Sequence, residues 1–195
     1  MTIFSLYIYD RHCNCVYYQD WHRTKRPRAA AEGGLLPGVS RILSPVSTSS
    51  EPNSGSNTPF SSPRNTLVST SVPSAPTASI GLPFDEEAKL VYGVILSLRN
   101  MIKRISGRDE QFVSYWTSAY KLHLYEILSG YKFVMLSDPG AESLRFVLRS
   151  IHTGPFLEYV VRNPLVPMDS RERGIDNEYF RASVDRLVRG LSVFP

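Results

Sequence analysis

Four residues near the N-terminus have side chains that could bind a metal ion. His12, Cys13, Cys15 and His22 supply the imidazole and thiol groups that zinc prefers. Side chains alternate between the two faces of a strand, so Cys13 and Cys15 would share one face near a turn and His12 would lie on the other. We interpret this stretch as a plain β-hairpin and predict no metal or other cofactor, with a metal site as the alternative.

A histidine and a carboxylate later in the chain suggest acid–base chemistry. His123 and Glu126 lie three residues apart in a predicted strand, so they should point to opposite faces and not pair directly. We expect His123 to be a half-exposed polar strand residue. The sequence also lacks the phosphate-binding loop, the dinucleotide fingerprint, the nucleophile elbow and the zinc-protease helix motif. It therefore predicts a protein that binds other proteins, with an enzyme of unrecognised site as the alternative.

Aromatic residues crowd the predicted strands and could form a platform for stacking nucleic-acid bases. They are Tyr7, Tyr9, Tyr17, Tyr18, Trp21, Tyr115, Trp116, Tyr120, Tyr125 and Tyr131. Basic residues are not interleaved with them at regular spacing. We therefore favour a role in the core or in a protein interface over nucleic-acid binding.

A long segment after the first hairpin has a different composition from the rest of the chain. Thirteen serines lie between Ser40 and Ser79, among recurring prolines and with almost no apolar periodicity. Such a segment cannot bury enough apolar surface to offset its ordering entropy. We predict a disordered insertion over residues 22–82, which divides one domain into its first hairpin, 1–21, and the remainder, 83–195. The insertion also accounts for the net charge of +4.

The remaining residues carry the periodicities of strands and helices. Residues 2–9 and 15–21 read as a hairpin, and three further strands are expected at 112–119, 120–127 and 131–137. The last of these is apolar on both faces, which fits a central strand. No apolar run approaches the length of a membrane span.

Three helical patterns accompany these strands. The first starts at Asp85 and ends near Gly107, with Val91, Ile95, Leu98, Ile102 and Ile105 as its sheet-facing stripe. The second runs from Leu144 towards Asn163-Pro164, and Gly154-Pro155 should kink or break it.

A last helix should be capped by Asp176 or Asn177. Its predicted apolar face contains Phe180, Val184, Leu187, Val188 and Leu191. The element order ββαβββαα predicts an α+β domain in which helices pack on five antiparallel strands.

Several segments together resemble one known family. They are Leu6-Tyr7-Ile8-Tyr9-Asp10-Arg11, Tyr18-Gln19-Asp20-Trp21-His22-Arg23, Lys89-Leu90-Val91-Tyr92-Gly93, Leu96-Ser97-Leu98-Arg99, Thr117-Ser118-Ala119-Tyr120-Lys121-Leu122-His123-Leu124-Tyr125-Glu126 and Val160-Val161-Arg162-Asn163-Pro164-Leu165. In this combination the chain is similar to the longin-type small subunits of the TRAPP vesicle-tethering complex, which belong to the sedlin and longin-like families. Relative to that family, the long insertion and Gly154-Pro155 are departures.

The resemblance implies a longin-like fold and a place in the TRAPP core beside a second longin-type subunit and a palmitoyl-pocket subunit. It implies a non-catalytic part in nucleotide exchange on a Rab GTPase of the Ypt-one class, and in transport from the endoplasmic reticulum to the Golgi. The alternative is a longin-domain SNARE or an adaptor light chain, which share the fold. We expect a cytoplasmic protein, peripheral at the endoplasmic reticulum and cis-Golgi.

Eight residues are candidates to face partners or to brace the surfaces that do so, although each could instead only pack the core. They are Tyr9, Asp10, Trp21, His22, Tyr120, Lys121, His123 and Tyr125. In the insertion, Ser44, Thr58 and Ser62 each precede a proline and are candidates for proline-directed phosphorylation.

Overall fold

The computed structural model describes most of the chain on either side of the predicted insertion. The described residues are 2–22, 36, 39, 82–108, 112–166 and 173–191. They all belong to one compact unit, Met1–Ser44 together with Gly81–Pro195. The predicted insertion lies outside the described residues except at His22, Leu36, Val39 and Leu82, so its disorder stays a prediction.

Five antiparallel strands form one sheet. The strands are β1 (Ile3–Tyr9), β2 (Cys15–Asp20), β3 (Ser114–Trp116), β4 (Lys121–Glu126) and β5 (Lys132–Ser137). Their order across the sheet is β2-β1-β5-β4-β3. β5 lies in the centre, as its two-faced apolar run predicts. The expected α+β fold with five antiparallel strands in ββαβββαα order is confirmed.

Three long helical regions in the described residues cover the sheet. They are α1 (Phe84–Ser106), α2 (Arg145–Ile151), which continues as a π-helical segment (His152–Val161), and α3 (Glu178–Arg189). α1 begins with three acidic residues in its first turn, which suits the positive end of the helix dipole. It ends at Gly107, whose φ of 65° is the left-handed conformation that glycine adopts at little cost.

The two faces of the sheet carry separate apolar clusters. The cluster under α1 is rich in tyrosine and consists of Tyr7, Tyr9, Tyr18, Val39, Phe84, Ala88, Ile95, Leu122, Leu124 and Val134. On the other face α2, the π-helical segment and α3 bury a larger aliphatic and aromatic cluster around Phe133, Ile151, Phe156 and Phe180. The domain therefore has three layers, with the sheet in the middle.

Two residues of the predicted insertion contribute to this core. Val39 is fully buried in the cluster under α1, and Leu36 packs against both clusters. The Val39 amide donates to the Leu36 carbonyl at 2.9 Å. This contact was not predicted, because so short an apolar stretch has no measurable periodicity.

The prediction that the α1 stripe faces the sheet along its whole length is wrong. Ile95 is only 2% exposed, but Leu98 and Ile102 are half-buried and Ile105 is 78% exposed. Arg99 already pairs with Glu126, the last residue of β4, at 3.1 Å. The helical turns after Arg99 therefore extend past the strand and have little sheet to cover.

Gly154-Pro155 distorts the second helix without breaking it. The helix continues from α2 to Val161, but it widens, and the Arg162 amide bonds the Leu157 carbonyl five residues back at 3.0 Å. Proline has no N–H to donate and its ring clashes with the carbonyl four residues earlier. A wider turn removes that clash, so of the predicted kink or break the break is wrong, and the helix changes type instead.

The predicted cap of the last helix is confirmed at Asn177. Its side chain accepts hydrogen bonds from the amides of Tyr179, at 2.9 Å, and Phe180, at 3.3 Å. The apolar face of α3 is buried at Phe180 and Val184, as predicted.

Candidate partner-binding surfaces

The residues considered for metal binding lie around the first hairpin turn. Cys13 is in the turn, with a φ of 69°, and its exposed thiol donates to the Tyr92 hydroxyl at 2.8 Å. Burial raises the pKa of the Cys15 thiol to about 12, so that group stays protonated at neutral pH. Within the part of the chain that the structure describes, no group of three or more His, Cys, Asp or Glu side chains could hold a metal ion.

His123 is fully buried, so the expectation of a half-exposed position is wrong. Its Nδ1 accepts a hydrogen bond from the Leu144 amide at 3.3 Å, and its Nε2 lies 2.9 Å from the Ser137 hydroxyl. Because Nδ1 accepts, Nε2 carries the proton and donates to Ser137. The ring therefore joins β4, β5 and the start of α2, and Glu126 is not among its partners.

The same chain of contacts fixes the loop between β5 and α2. Burial, with a smaller contribution from the Lys121 charge, lowers the pKa of His123 to about 4, and the ring is neutral at physiological pH. The Lys121 ammonium donates to the Ala141 carbonyl at 2.7 Å. His123 and Lys121 therefore both hold this loop in place and brace the surface around it.

The two aromatic candidates on either side of them, Tyr120 and Tyr125, are half-buried and pack on different clusters. Tyr120 packs against the cluster under α1. The Tyr125 ring lies 6.2 Å from that of Phe133 and 5.8 Å from that of His152, on the opposite face.

The candidates at the end of β1 are also internal. The Tyr9 hydroxyl donates to the Ala88 carbonyl of α1 at 2.8 Å, and the side chain is 1% exposed. Asp10 is 3% exposed, and its carboxylate accepts from the amides of His12, at 2.8 Å, and Asn14, at 2.9 Å. Both shape the hairpin, so they can support a binding surface but cannot form one.

Trp21 connects the hairpin to α3. Its indole N–H donates to Asp185 Oδ1 at 2.8 Å, and the other oxygen of Asp185 accepts from Arg189 at 2.8 Å. His22 is exposed. Of the eight candidates, His22 is thus the one that is mainly exposed to solvent. The phosphorylation candidates Ser44, Thr58 and Ser62 lie outside the described residues.

An exposed apolar stripe that was not predicted from the sequence lies on the side of α1. We define the α1 flank as Leu90, Val94, Met101 and Ile105. Leu90, Met101 and Ile105 are 57%, 51% and 78% exposed, and Val94 is partly buried. At 3.6 residues per turn the four side chains fall within an arc of about 60°. The four- and seven-residue spacings could have revealed this second stripe beside the buried one.

The two edges of the sheet are protected differently. At the β2 edge, the Ile175 amide donates to the Val16 carbonyl at 2.8 Å. Gly174, with a φ of 66°, permits this approach, because a Cβ there would lie 2.7 Å from the same carbonyl oxygen. At the other edge, β3 is three residues long, and its last residue, Trp116, is 68% exposed. Short strands and covered edges both limit unwanted pairing, but an exposed tryptophan is typical of a protein interface.

None of the helices in the described ranges is both long and apolar enough to cross a membrane. The α1 flank and Trp116 are exposed apolar features of the kind that contact other proteins.

Comparison with known proteins agrees with the architecture. The profile of the Sybindin-like family matches residues 3–191. The chain is 36% identical to "Transport protein particle subunit bet5" of Schizosaccharomyces pombe over 197 residues, which cover 100% of both chains. It is 30% identical over 196 residues to "Trafficking protein particle complex subunit 1" of Homo sapiens, covering 100% of this chain and 97% of the relative.

A third relative is "Trafficking protein particle complex subunit BET5" of Saccharomyces cerevisiae. It is 30% identical over 176 residues, which cover 88% of this chain and 80% of the relative. The family match spans nearly the whole chain, including every strand and helix described above. The chain therefore belongs to the Sybindin-like family.

Proposed function

We propose that this chain is a non-catalytic subunit of a TRAPP complex. In that complex it contributes to nucleotide exchange on a Rab GTPase of the Ypt-one class and to transport between the endoplasmic reticulum and the Golgi. The observation that carries the proposal is the α1 flank, an apolar surface left open on a chain similar along its whole length to trafficking particle subunits. We also propose a cytoplasmic location, peripheral at the endoplasmic reticulum and cis-Golgi.

The α1 flank favours a helix as its partner. From Leu90 to Ile105 it extends over sixteen residues, a rise of about 22 Å at 1.5 Å per step, which is four turns of helix contact. The first turn of α1 is acidic and its last turn is basic. A similar helix packed antiparallel would place its basic end beside Glu86 and its acidic end beside Arg104. This polarity fits a second longin-type subunit with an equivalent first helix.

Exchange of a bound nucleotide needs no nucleophile or general base on the exchange factor. A complex that binds the nucleotide-free conformation of the GTPase more tightly than the loaded one accelerates release by that difference alone. A subunit for such a complex needs rigid surfaces. The hydrogen bonds of Tyr9, His123 and Trp21 provide rigidity at three places in this domain.

Purification from cells tests the proposal directly. We would express the wild-type chain, a Leu90→Asp/Met101→Asp variant of the α1 flank, and a Phe146→Asp/Leu165→Asp control. The control residues are even more exposed than Leu90 and Met101, at 77% and 87%, but lie outside the flank. The wild-type and control chains should co-purify with TRAPP subunits and accelerate nucleotide release from the Rab GTPase, and the flank variant should lose both.

Two results would count against this function. If the wild-type chain co-purifies with no TRAPP subunit, the proposed complex is wrong. If the flank variant is folded and still assembles, the flank is not the surface that binds the partner.

A further inference from the structure

Leu36 and Val39 are the two described residues between His22 and Leu82, and both pack against the domain. Val39 is completely buried in the apolar cluster under α1. Leu36 is half-buried and packs against the clusters on both faces of the sheet. We call this pair the anchor, because it attaches the predicted insertion to the domain at a place between its two ends.

The leucine of the anchor lies against the segment that covers the β2 edge. A Cβ atom on Gly174 would come within 3.3 Å of both Cβ and Cδ1 of Leu36, so the leucine packs directly over this glycine. The next residue, Ile175, is fixed to β2 by the bond from its amide to the Val16 carbonyl at 2.8 Å. The position of Leu36 therefore depends on a residue without a side chain, held in place by the sheet.

The walls around the valine of the anchor are joined to each other without it. Val39 belongs to the cluster between the sheet and α1. The Tyr7 hydroxyl of β1 donates to the Glu87 carboxylate of α1 at 2.7 Å. The Tyr9 hydroxyl donates to the Ala88 carbonyl at 2.8 Å. Because neither bond involves the valine, both can hold the sheet and the helix together in its absence.

The anchor itself has the features of a small, separate ligand. Its described hydrogen bond, from the Val39 amide to the Leu36 carbonyl at 2.9 Å, joins its own two residues to each other. In the sequence these residues flank Pro37-Gly38, a pair typical of tight turns, which lowers the entropy cost of presenting both side chains together. The contacts described between the anchor and the domain are apolar, so they can be broken without leaving a buried polar group unpaired.

We propose that the anchor is a releasable ligand of its own domain. Leu36 and Val39 bind to and leave a preformed apolar site, made by the cluster under α1 and by Gly174, while the sheet and helices stay folded. The ligand class is an apolar turn with leucine and valine three positions apart. Release exposes part of the cluster under α1 to solvent. This inference is independent of the TRAPP assignment, because it uses neither the α1 flank nor any relative.

Hydrogen exchange in the full-length wild-type chain tests the release. The Val39 amide should exchange more slowly than in an unstructured peptide, because it is bonded and buried. It should exchange at least about tenfold faster than the Leu148 amide, which is bonded within the larger cluster on the other face. Low concentrations of urea should accelerate exchange at Leu148 but hardly at Val39, since release exposes little surface.

Two results of this experiment would overturn the proposal. Equal protection of Val39 and Leu148 would show that the anchor opens only when the domain unfolds and is an inseparable part of the core. An unprotected Val39 amide would show that the anchor does not bind to the domain.

A peptide supplied in trans tests whether the site is preformed. The probe is a peptide of residues 33–41, added to a Leu36→Ala/Val39→Ala variant of the full chain. It should shift the backbone NMR signals of Tyr18 and Gly174 saturably, with millimolar affinity because only two side chains are buried. A peptide with aspartate at both anchor positions should have no such effect. The wild-type chain should respond much less, since its own anchor occupies the site.

A variant at the other end of the insertion provides a matched control. Leu82 is 50% exposed, and Leu82→Ala leaves the anchor intact, so this variant should respond to the peptide as the wild-type chain does. Equal responses of the wild-type chain and the Leu36→Ala/Val39→Ala variant, or equal effects of the two peptides, would overturn the proposal. Failure of the double variant to fold would also overturn it, because a releasable ligand cannot be required for the fold.

Discussion

The two faces of the sheet are covered to different extents. On one face, α2, the π-helical segment and α3 bury a large apolar cluster, within which Ile151, Phe156 and Phe180 are almost completely inaccessible. On the other face α1 lies with Leu36 and Val39 beside it, and only Phe84, Ala88 and Ile95 of the 23 residues of α1 are buried. The first face is complete within the chain. The second face retains apolar surface that a neighbouring subunit could cover. Replacing one buried isoleucine on each face by alanine measures the difference in packing between the two faces.

The largest effect is expected for Ile151→Ala on the complete face. The side chain is fully buried, and its neighbours are held by two other helical regions, so they cannot easily collapse into the space it leaves. We expect the free energy of unfolding to fall by about 4 kcal/mol. Urea denaturation followed by circular dichroism measures it. A loss below about 1 kcal/mol would mean that this face is loosely packed.

Ile95→Ala on the α1 face should cost less, about 2–3 kcal/mol, although Ile95 is equally buried. In the described residues α1 is the one long helix on this face, so it can move slightly towards the sheet and reduce the cavity. The same denaturation experiment applies. A cost equal to that of Ile151→Ala would show that the two faces are equally rigid.

The buried, neutral His123 should make the stability of the folded chain depend on pH. Its pKa is lowered by burial to about 4 from an ordinary 6.5, so the unfolded state binds the proton more readily than the folded state. Stability due to the neutral ring is present above pH 6.5 and is lost as the pH falls towards 4, by at most about 1.4 kcal/mol per pH unit.

The His123→Gln variant serves as its reference, because glutamine does not titrate. At pH 7 the variant should be about 1 kcal/mol less stable than wild type, since an amide fits the Leu144 and Ser137 contacts less well. Between pH 6.5 and 4 the wild-type chain should lose more stability than this, so the gap should close and then reverse. Parallel pH profiles of the two proteins would contradict the assigned cause.

The smallest effect is expected for Ile105→Ala. Its side chain is 78% exposed at the far end of α1, so the isolated chain should change by less than about 0.5 kcal/mol. In the assembled complex the same change should weaken association, since the α1 flank would lose apolar area. A large effect on the isolated chain would mean that Ile105 packs within its own domain.

Helix ends and strand positions were predicted well from the sequence, because the residues that determine them lie within the element itself. Asn177 caps α3 through its own side chain, Gly107 ends α1 through its left-handed conformation, and the two-faced apolar run of β5 places it in the centre. These features need no knowledge of the tertiary structure.

The exposure of particular residues was harder to predict. His123 is buried because Ser137 and Leu144, from other elements, complete its hydrogen bonds. Ile105 is exposed because β4 ends at Glu126 and leaves the last turns of α1 uncovered. Trp21 binds Asp185, a residue 164 positions away. Each outcome depends on where elements end and meet in space, which periodicity along the chain does not report.

The π-helical segment has a consequence for how this chain tolerates changes in length. A π turn closes its hydrogen bond over one more residue than an α turn, so ten residues from His152 to Val161 accommodate an extra residue without a loop. Its buried residues are Pro155, Phe156 and Val160, and they follow the buried Ile151 at the end of α2. Loss of one residue near Gly154 could be absorbed by restoring an α turn. In an alignment of related sequences, the loss of this residue would appear as a one-residue gap inside a continuous helix.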